Sequence, residues 1–250
     1  MRALTNDRGF TLVEMLLAVL FGIIVMAGIG IAVQSVSRSG SSLERKVVAQ
    51  QDVRAALEIM AMEIGMVSYN PTFASNSSLW SDLSSTAGQA CGVNASVTNP
   101  TWKGIVEAGA NSFTVEADIN DDGVVGSNNE PNEVIRYVYV TTGGEQYITR
   151  CSCCTTSTSG SGGQPFLGDL STSGRPRGVK VINNSLGIPV FEYFDASGAA
   201  TASIPDIRRI EITLVVEIDE TGFTYTTTGA QKRRLVYSTS VIPRNHGITY

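Results

Sequence analysis

The sequence predicts an α+β protein, in which one long N-terminal helix packs on an antiparallel β-sheet domain. Three observations support this fold class. A long apolar run, residues 10–33 (FTLVEMLLAVLFGIIVMAGIGIAV), contains a single ionisable side chain, Glu14. Helical spacing of apolar residues continues from there to about residue 68, and short β-patterned segments fill the remainder, residues 69–250.

The apolar run follows a polar leader, residues 1–9, and is predicted to be a membrane-spanning helix. A helix of this length measures about 36 Å, enough to cross a hydrocarbon core roughly 30 Å thick. A carboxylate within such a helix costs about 2–3 kcal/mol at the bilayer centre and less near an end. Glu14 is therefore expected to have a specific partner.

An amphipathic continuation of the helix is predicted over residues 34–68. No proline precedes Pro71, so the helix can run unbroken from Phe10 to about Val67, a length of about 85 Å. We expect its apolar stripe to lie across one face of the sheet. The stripe consists of Leu43, Val47, Val53, Leu57, Met60, Ile64 and Val67.

The remaining chain is predicted to form a β-rich domain with Trp80 and Trp102 as core residues. Its strongest strand pattern is the alternation over residues 207–218, which we expect to pair as a hairpin with residues 233–242. The Cys-, Ser- and Gly-rich segment 151–178 is predicted to be one long exposed loop. Other predicted strands are residues 105–108, 113–118, 133–140, 146–149, 179–182 and 190–194.

The stretch Gly9-Phe10-Thr11-Leu12-Val13-Glu14, with basic residues before it and the apolar run after it, resembles the cleavage motif of type IV prepilins. An ordinary secretory signal would end in a small-residue A-x-A site, and no good one follows the run. The resemblance implies that prepilin peptidase cuts between Gly9 and Phe10 and that the new Phe10 amine is methylated. It also implies that Glu14 pairs with the Phe10 amine of a neighbouring pilin.

The resemblance further implies a location and partners. The chain would be anchored in the inner membrane by one helix, with its globular domain in the periplasm, and would later join a pilus on the cell surface. Its partners would be other pilins and minor pilins, which it contacts through the N-terminal helix.

The C-terminal half is loosely similar to PilW-type minor pilins. The similarity consists of Val190-Phe191-Glu192-Tyr193-Phe194, the long alternating strand and the ending Pro243-Arg244-Asn245. It implies a role in starting pilus assembly or at the fibre tip. Two alternatives remain open, namely a minor pseudopilin of a type II secretion system and a pilus-borne adhesin module.

Composition adds limits on partners and chemistry. A net charge of -5 argues against nucleic acid as the main partner, because phosphate binding favours a basic surface. Four cysteines lie beyond the membrane segment, and in an oxidising compartment they are candidates for disulfides. We expect Cys91 to pair with one of Cys151, Cys153 and Cys154, and Cys151 with Cys154 is a candidate second pair. A thiolate metal site is the less favoured alternative.

A candidate calcium loop begins at Asp118. Its D-x-N-x-D-G opening resembles calcium-binding loops, in which Asp118, Asn120 and Asp122 would be side-chain ligands and Val124 a carbonyl ligand. The loop departs from the pattern because its acidic ligand, Glu130, stands one position late. An acidic turn without metal is the alternative, and Ca²⁺ is thus a candidate cofactor only.

Catalytic signatures are lacking in the sequence. His246 lies in the C-terminal tail without an evident serine or cysteine partner for a catalytic triad. Neither a Gly-rich phosphate loop nor a metallopeptidase helix is present. We therefore expect a structural subunit and not an enzyme.

Overall fold

The computed structural model describes residues 10–73, 79–80, 103–123, 125, 132–141, 146–152, 163–169, 179–220 and 231–248. Its longest element is the helix α1, Leu12–Gly65, capped by Thr11 at its start and by Met66 at its end. These bounds lie close to the predicted ones. An N-terminal apolar helix followed by an antiparallel β domain confirms the predicted α+β class.

In the described part of the chain, nine strands form two antiparallel sheets, where the sequence suggested one. The first sheet has the order β1-β2-β3-β4-β5, with β1 Ile105–Ala108, β2 Ser112–Glu116, β3 Val134–Val140, β4 Gln146–Ser152 and β5 Gln164–Asp169. The second sheet is centred on β8 and contains β6 Lys180–Val181, β7 Phe191–Phe194, β8 Arg209–Glu220 and β9 Gln231–Val241. β6 and β7 pair with successive parts of β8, and β9 pairs with β8 along nearly its whole length.

The strongest strand prediction is confirmed. β8 and β9 form an antiparallel hairpin whose register runs without a shift from Ile210 opposite Val241 to Glu220 opposite Gln231. The alternating apolar side chains of β8 are buried in the core, as their spacing of two predicts.

The prediction of one exposed loop over residues 151–178 was wrong in part. β4 continues through Ser152, and β5 lies inside the segment and pairs antiparallel with β4. Leu167 of β5 is buried in the core. The strand therefore makes an apolar contact that the Ser- and Gly-rich sequence around it did not predict. Trp80 is buried as expected, whereas Trp102 lies outside the described residues.

The apolar stripe of α1 is shorter than predicted. Leu43 and Val47 are largely exposed, because the buried part of the helix begins only at Ala49. From there the helix packs on β8, β9 and β5. The buried stripe comprises Ala49, Val53, Ala56, Leu57, Met60, Ile64 and Val67.

Aromatic side chains connect the two sheets within this core. The ring centroid of Phe113 on β2 lies 5.6 Å from those of both Phe191 and Tyr193 on β7. The Tyr193 hydroxyl donates to the carbonyl of Gly109 at 2.8 Å, so its polar end is satisfied although the ring is buried.

One buried ion pair fixes the helix on the first sheet. The Arg150 guanidinium on β4 donates to both carboxylate oxygens of Glu63 on α1, at 2.6 Å from Nη2 and 3.1 Å from Nε. The Tyr137 hydroxyl on β3 donates to the same carboxylate. Burial and the neighbouring Glu63 carboxylate raise the pKa of Tyr137, so this hydroxyl remains a donor at neutral pH.

Replacing Arg150 should destabilise the domain strongly. Arg150→Ala leaves the buried Glu63 carboxylate with the tyrosine hydroxyl alone, and we expect a loss of about 3 kcal/mol in the free energy of unfolding. Chemical denaturation followed by circular dichroism measures it. The control is Arg54→Ala on the exposed side of α1, which we expect to change stability by less than about 0.5 kcal/mol. Equal effects of the two substitutions would contradict the role of the Arg150–Glu63 ion pair in fixing the helix on the sheet.

Candidate functional site

The start of α1 is organised by a capping box between Thr11 and Glu14. The Thr11 hydroxyl accepts from the Glu14 amide at 3.3 Å, while the Thr11 amide donates to Glu14 Oε2 at 2.9 Å. The Thr11 hydroxyl also lies 3.0 Å from the same Oε2. Two of the amide groups at the N-terminus of the helix are thereby bonded.

Only one of the two Glu14 carboxylate oxygens is used in these bonds. Oε1 has no partner among the residues that the structure describes. The carboxylate is held by Thr11, about one turn from Phe10, and its second oxygen is left for another donor. It can therefore accept a cation from outside the chain, and the predicted amine of a neighbouring Phe10 has the right chemistry.

The first half of α1 offers a wide apolar surface. Leu12–Ser37 is long and apolar enough to cross a membrane, with a mean hydropathy of 2.8. All of it is exposed, since none of this segment packs on the described part of the domain. Phe10 at its start is 85% exposed. Such a surface must be covered by lipid or by other apolar helices.

The cleavage prediction falls partly outside the described residues. Gly9 lies in the leader, residues 1–9, none of which the structure describes, whereas Phe10 immediately precedes the cap. Cutting between Gly9 and Phe10 would place the new amine beside the capped turn that holds Glu14. Processing and methylation remain predictions.

The candidate calcium loop forms a tight turn after β2. The buried Asp118 carboxylate accepts from the Asp121 amide at 2.8 Å and from the Gly123 amide at 3.1 Å, and Asn120 Oδ1 accepts from the Asp122 amide. Asp121 and Gly123 both adopt positive φ angles, which aspartate and glycine tolerate best. The expected turn is present, and its oxygens are engaged by its own backbone.

Glu133 is the residue of this loop that the sequence analysis missed. Its buried carboxylate lies at hydrogen-bond distance from the amides of Ile119 and Asn120, at 3.2 and 3.4 Å. Val124 and Glu130, two of the predicted ligands, lie outside the described residues. In the part of the chain that is described, no three His, Cys, Asp or Glu side chains converge in an arrangement suited to a metal. Calcium binding remains a prediction.

Of the four cysteines, the structure describes only Cys151, on β4, which takes part in a disulfide bond. Cys91, Cys153 and Cys154 lie outside the described residues, so the predicted pairing is not tested.

His246 has a serine partner that the sequence did not reveal. Its Nδ1 lies 3.0 Å from the hydroxyl of Ser68, just past the end of α1, and its Nε2 lies 2.8 Å from the carbonyl oxygen of Ile204. Burial, with further contributions from Arg208 and Lys103, lowers the pKa of His246. The Ser68 hydroxyl donates to the carbonyl oxygen of Lys103, which itself lies 3.2 Å from Nδ1, and Nε2 faces the Ile204 carbonyl oxygen as a donor.

This pair is structural in its geometry and not a triad. Nε2 contacts a backbone carbonyl instead of the carboxylate that would orient a catalytic base, and His246 is only 1% exposed. The ring ties the C-terminal segment to the end of the helix. Gly104 belongs to the same junction, because a Cβ at its φ of +82° would lie 2.8 Å from the Glu116 carbonyl oxygen.

Comparisons with known proteins give one structural likeness. No family model and no curated protein matches the sequence. The chain is similar to a solved type IV-like pilin from Thermus thermophilus, at 12% sequence identity over 80% of this chain and 98% of that one, with a TM-score of 0.36. Values this low say nothing of partners or activity, so the functional proposal rests on the residues of this chain.

The calcium hypothesis predicts that the full-length protein in detergent micelles binds Ca²⁺ through the turn at Asp118. Asp118→Asn removes one charge and should weaken binding at least about tenfold, because carboxylates are the preferred calcium ligands. Titration calorimetry up to millimolar calcium measures this. Absence of a calcium-dependent heat in the parent chain, or equal affinity in Asp118→Asn, would leave the motif as an acidic turn.

We expect His246 to make the domain less stable as the pH falls below about 6.5, the ordinary pKa of histidine. The unfolded chain takes up a proton there, while the folded chain, with its lowered pKa, resists it until lower pH. The measurement is the melting temperature at about pH 7.5 and about pH 5.5, on either side of that pKa. His246→Gln should be less stable at the higher pH but should lose less on acidification. An equal loss in both chains would show that other groups carry the pH dependence.

Proposed function

We propose that this protein is a minor pilin of a type IV pilus. In this proposal, the chain waits in the inner membrane with its β domain in the periplasm, after prepilin peptidase has cut between Gly9 and Phe10. It then enters the fibre, where its apolar helix packs among those of other pilins. The role is structural, with no reaction catalysed by the domain.

One observation carries the proposal. The G-F-T-L-V-E stretch leads directly into a helix that is strongly apolar and wholly exposed over Leu12–Ser37, and that continues without interruption into the core of a folded domain. A simple anchor needs neither a carboxylate near its start nor rigid continuity with the domain. A fibre subunit needs both, because its domain must be held at a fixed position relative to the packed helices.

The capped turn suggests how Glu14 acts during assembly. Thr11 fixes the carboxylate through Oε2, so Oε1 can accept the methylated Phe10 amine of a neighbour without a large loss of side-chain entropy. Within an apolar environment, the attraction between the two charges is far stronger than in water. The pairing would therefore select the axial position at which a subunit enters the fibre.

The choice of a minor pilin rests on size and on the C-terminal similarity. A domain with two sheets is bulky for a subunit repeated throughout a thin fibre, and the PilW-type features point to assembly or to the tip. The rival roles are a minor pseudopilin of a type II secretion system and an adhesin module. Deletion of the gene distinguishes the three roles. Loss of a minor pilin would impair pilus formation, loss of a pseudopilin would impair protein secretion, and loss of an adhesin module would impair attachment alone.

The proposal is tested by mass spectrometry and fibre isolation. We expect the membrane-extracted protein to lack residues 1–9 and to carry one methyl group on Phe10. Glu14→Ala should be processed normally, yet its amount in sheared filaments should fall about tenfold or more, because an unpaired amine in the apolar core is costly.

Glu14→Gln is the matched variant, since glutamine can keep the capping box but carries no charge. We expect it to be as depleted from filaments as Glu14→Ala, which would separate charge pairing from helix capping. An intact leader in the extracted protein would overturn the proposal. So would normal incorporation of both variants.

A further inference from the structure

β9 forms one edge of the second sheet. The strand, Gln231–Val241, is 11 residues long and pairs with β8 without a register shift. In the described part of the chain, no other strand pairs with it. β9 is therefore a long and regular sheet edge.

The hydrogen-bond ladder determines which backbone groups of β9 point away from the sheet. The Thr213 amide of β8 donates to the Val190 carbonyl at 2.9 Å, and two residues on the Val215 carbonyl accepts from an amide on the same side. Odd-numbered residues of β8 thus bond away from β9, and even-numbered ones bond to it. Across the register, odd-numbered residues of β9 face β8, so its even-numbered residues direct their amides and carbonyls outward. These outward residues are Arg234, Val236, Ser238 and Ser240.

The outward backbone groups of β9 are available to a further strand. They have no backbone partner among the described residues, and the side chains of the same residues are exposed, with Val236 at 65%. Sheet edges are normally protected by charged side chains, by proline or by a bulge. Over residues 235–241, β9 has none of these protections. This part of the edge is an open template for strand addition.

β8 shows which side chains fit the exposed face of β9. The residues of β8 opposite Arg234, Val236, Ser238 and Ser240 are, in that order, Glu217, Val215, Thr213 and Glu211. The Ser238 hydroxyl lies 3.2 Å from Thr213 Oγ1 and donates to a Glu211 oxygen at 3.2 Å. A strand on the outer side of β9 meets the same side chains. It is therefore favoured by the same order of carboxylate, apolar group and hydroxyl.

The charge on this edge restricts the partner. Arg234 Nε lies 3.3 Å from Glu217 Oε2, yet the Arg234 side chain remains 59% exposed while Glu217 is buried. An incoming strand therefore meets the guanidinium and not the carboxylate. A carboxylate at this level is attracted, and a basic side chain is repelled.

A second copy of this chain does not fit the edge. Antiparallel pairing of two β9 strands requires a two-fold axis perpendicular to the sheet, which reverses every direction within the sheet plane. Because α1 packs on β8 and β9, its direction would be reversed as well. Two copies anchored in one membrane with the same orientation cannot meet this condition. This step rests on the proposed function.

We propose that β9 accepts an extended segment of a different polypeptide as an additional antiparallel strand. The segment carries a carboxylate opposite Arg234, an apolar side chain opposite Val236 and a hydroxyl opposite Ser238. It lengthens the second sheet by one strand and leaves the ladder between β8 and β9 unchanged. Backbone hydrogen bonds provide the affinity, and the alternating side chains provide the selectivity.

The chain itself supplies a probe with this pattern. A synthetic peptide with the sequence of residues 209–218 (RIEITLVVEI) carries a fluorophore on a polyethylene glycol handle. Its anisotropy is measured with the full-length protein in detergent micelles, and we expect saturable binding. A peptide of the same composition in scrambled order should bind at least about tenfold more weakly.

Two substitutions at one outward residue test the edge. Ser238→Pro removes an outward amide without affecting the hydrogen bonds to β8, so it should weaken peptide binding about tenfold. Ser238→Ala keeps the amide and is the matched control, which should bind like the parent chain.

Methylation of the peptide backbone tests the edge without altering the protein. In antiparallel addition, peptide residues opposite the even-numbered residues of β9 direct their amides at β9. N-methylation at the positions of Thr213 and Val215 should therefore abolish binding, whereas N-methylation at those of Leu214 and Val216 should preserve it. Replacement of β8 by the peptide would give the reverse order, because β8 bonds to β9 through its even-numbered residues. These peptides decide the question even where Ser238→Pro destabilises the domain.

The outcomes decide this proposal separately from the pilin role. Saturable binding that is lost on methylation at Thr213 and Val215 supports it. Absence of binding, the reverse methylation order, or full binding by a folded Ser238→Pro chain overturns it. A parent chain that dimerises in micelles while Ser238→Pro stays monomeric would also overturn it, because the edge would then hold a second copy. Leader cleavage and the Glu14 variants test the pilin role on their own.

Discussion

The structure depends on one constraint, which is that the first half of α1 exposes an apolar surface that the described domain does not cover. Leu12–Ser37 contacts none of that domain, so its free energy is low only in lipid or among other apolar helices. Burial of about 100 Å² of apolar surface contributes roughly 2.5 kcal/mol, and a helix of this length offers many times that area. Association with lipid or with other apolar helices can arise from this surface without any contribution from the β domain.

The same helix passes without a break from its exposed apolar half to the half that packs on the domain. Beyond the apolar half its sequence becomes amphipathic, and from Ala49 onward one stripe is covered by the two sheets. The ion pair between Glu63 and Arg150 gives this packing a defined position, because a carboxylate can be buried only where its donors are. The result is a continuous helical connection between the apolar half of α1 and the core of the domain.

The sequence predicted the features that arise from local periodicity. The long helix and the β8–β9 hairpin follow from spacings of about 3.6 and about 2 residues, and both were found close to the predicted bounds. β5 was missed because its residues, with a proline and a glycine, have little intrinsic strand preference and depend on pairing with β4. Leu43 and Val47 were misassigned because periodicity reveals a stripe but not where the covering sheets begin.

Contacts between distant residues lie beyond such patterns for the same reason: His246 and Ser68 are 178 positions apart, and nothing in either neighbourhood marks them as partners. The capping box of Thr11 and Glu14 is the opposite case, because it spans a single turn and its residue types are a local signal.

Of the acidic residues of α1, Glu14 is the one that its apolar half contains. Glu14 lies in the apolar half, where an unpaired charge is costly at all times, so it favours any neighbour that supplies an amine. Its carboxylate is already held by Thr11 through Oε2, so the remaining oxygen can accept a donor without further ordering of the side chain. Under the pilin proposal, Glu14 would therefore set the register of neighbouring helices, while burial of the apolar surface would supply their cohesion.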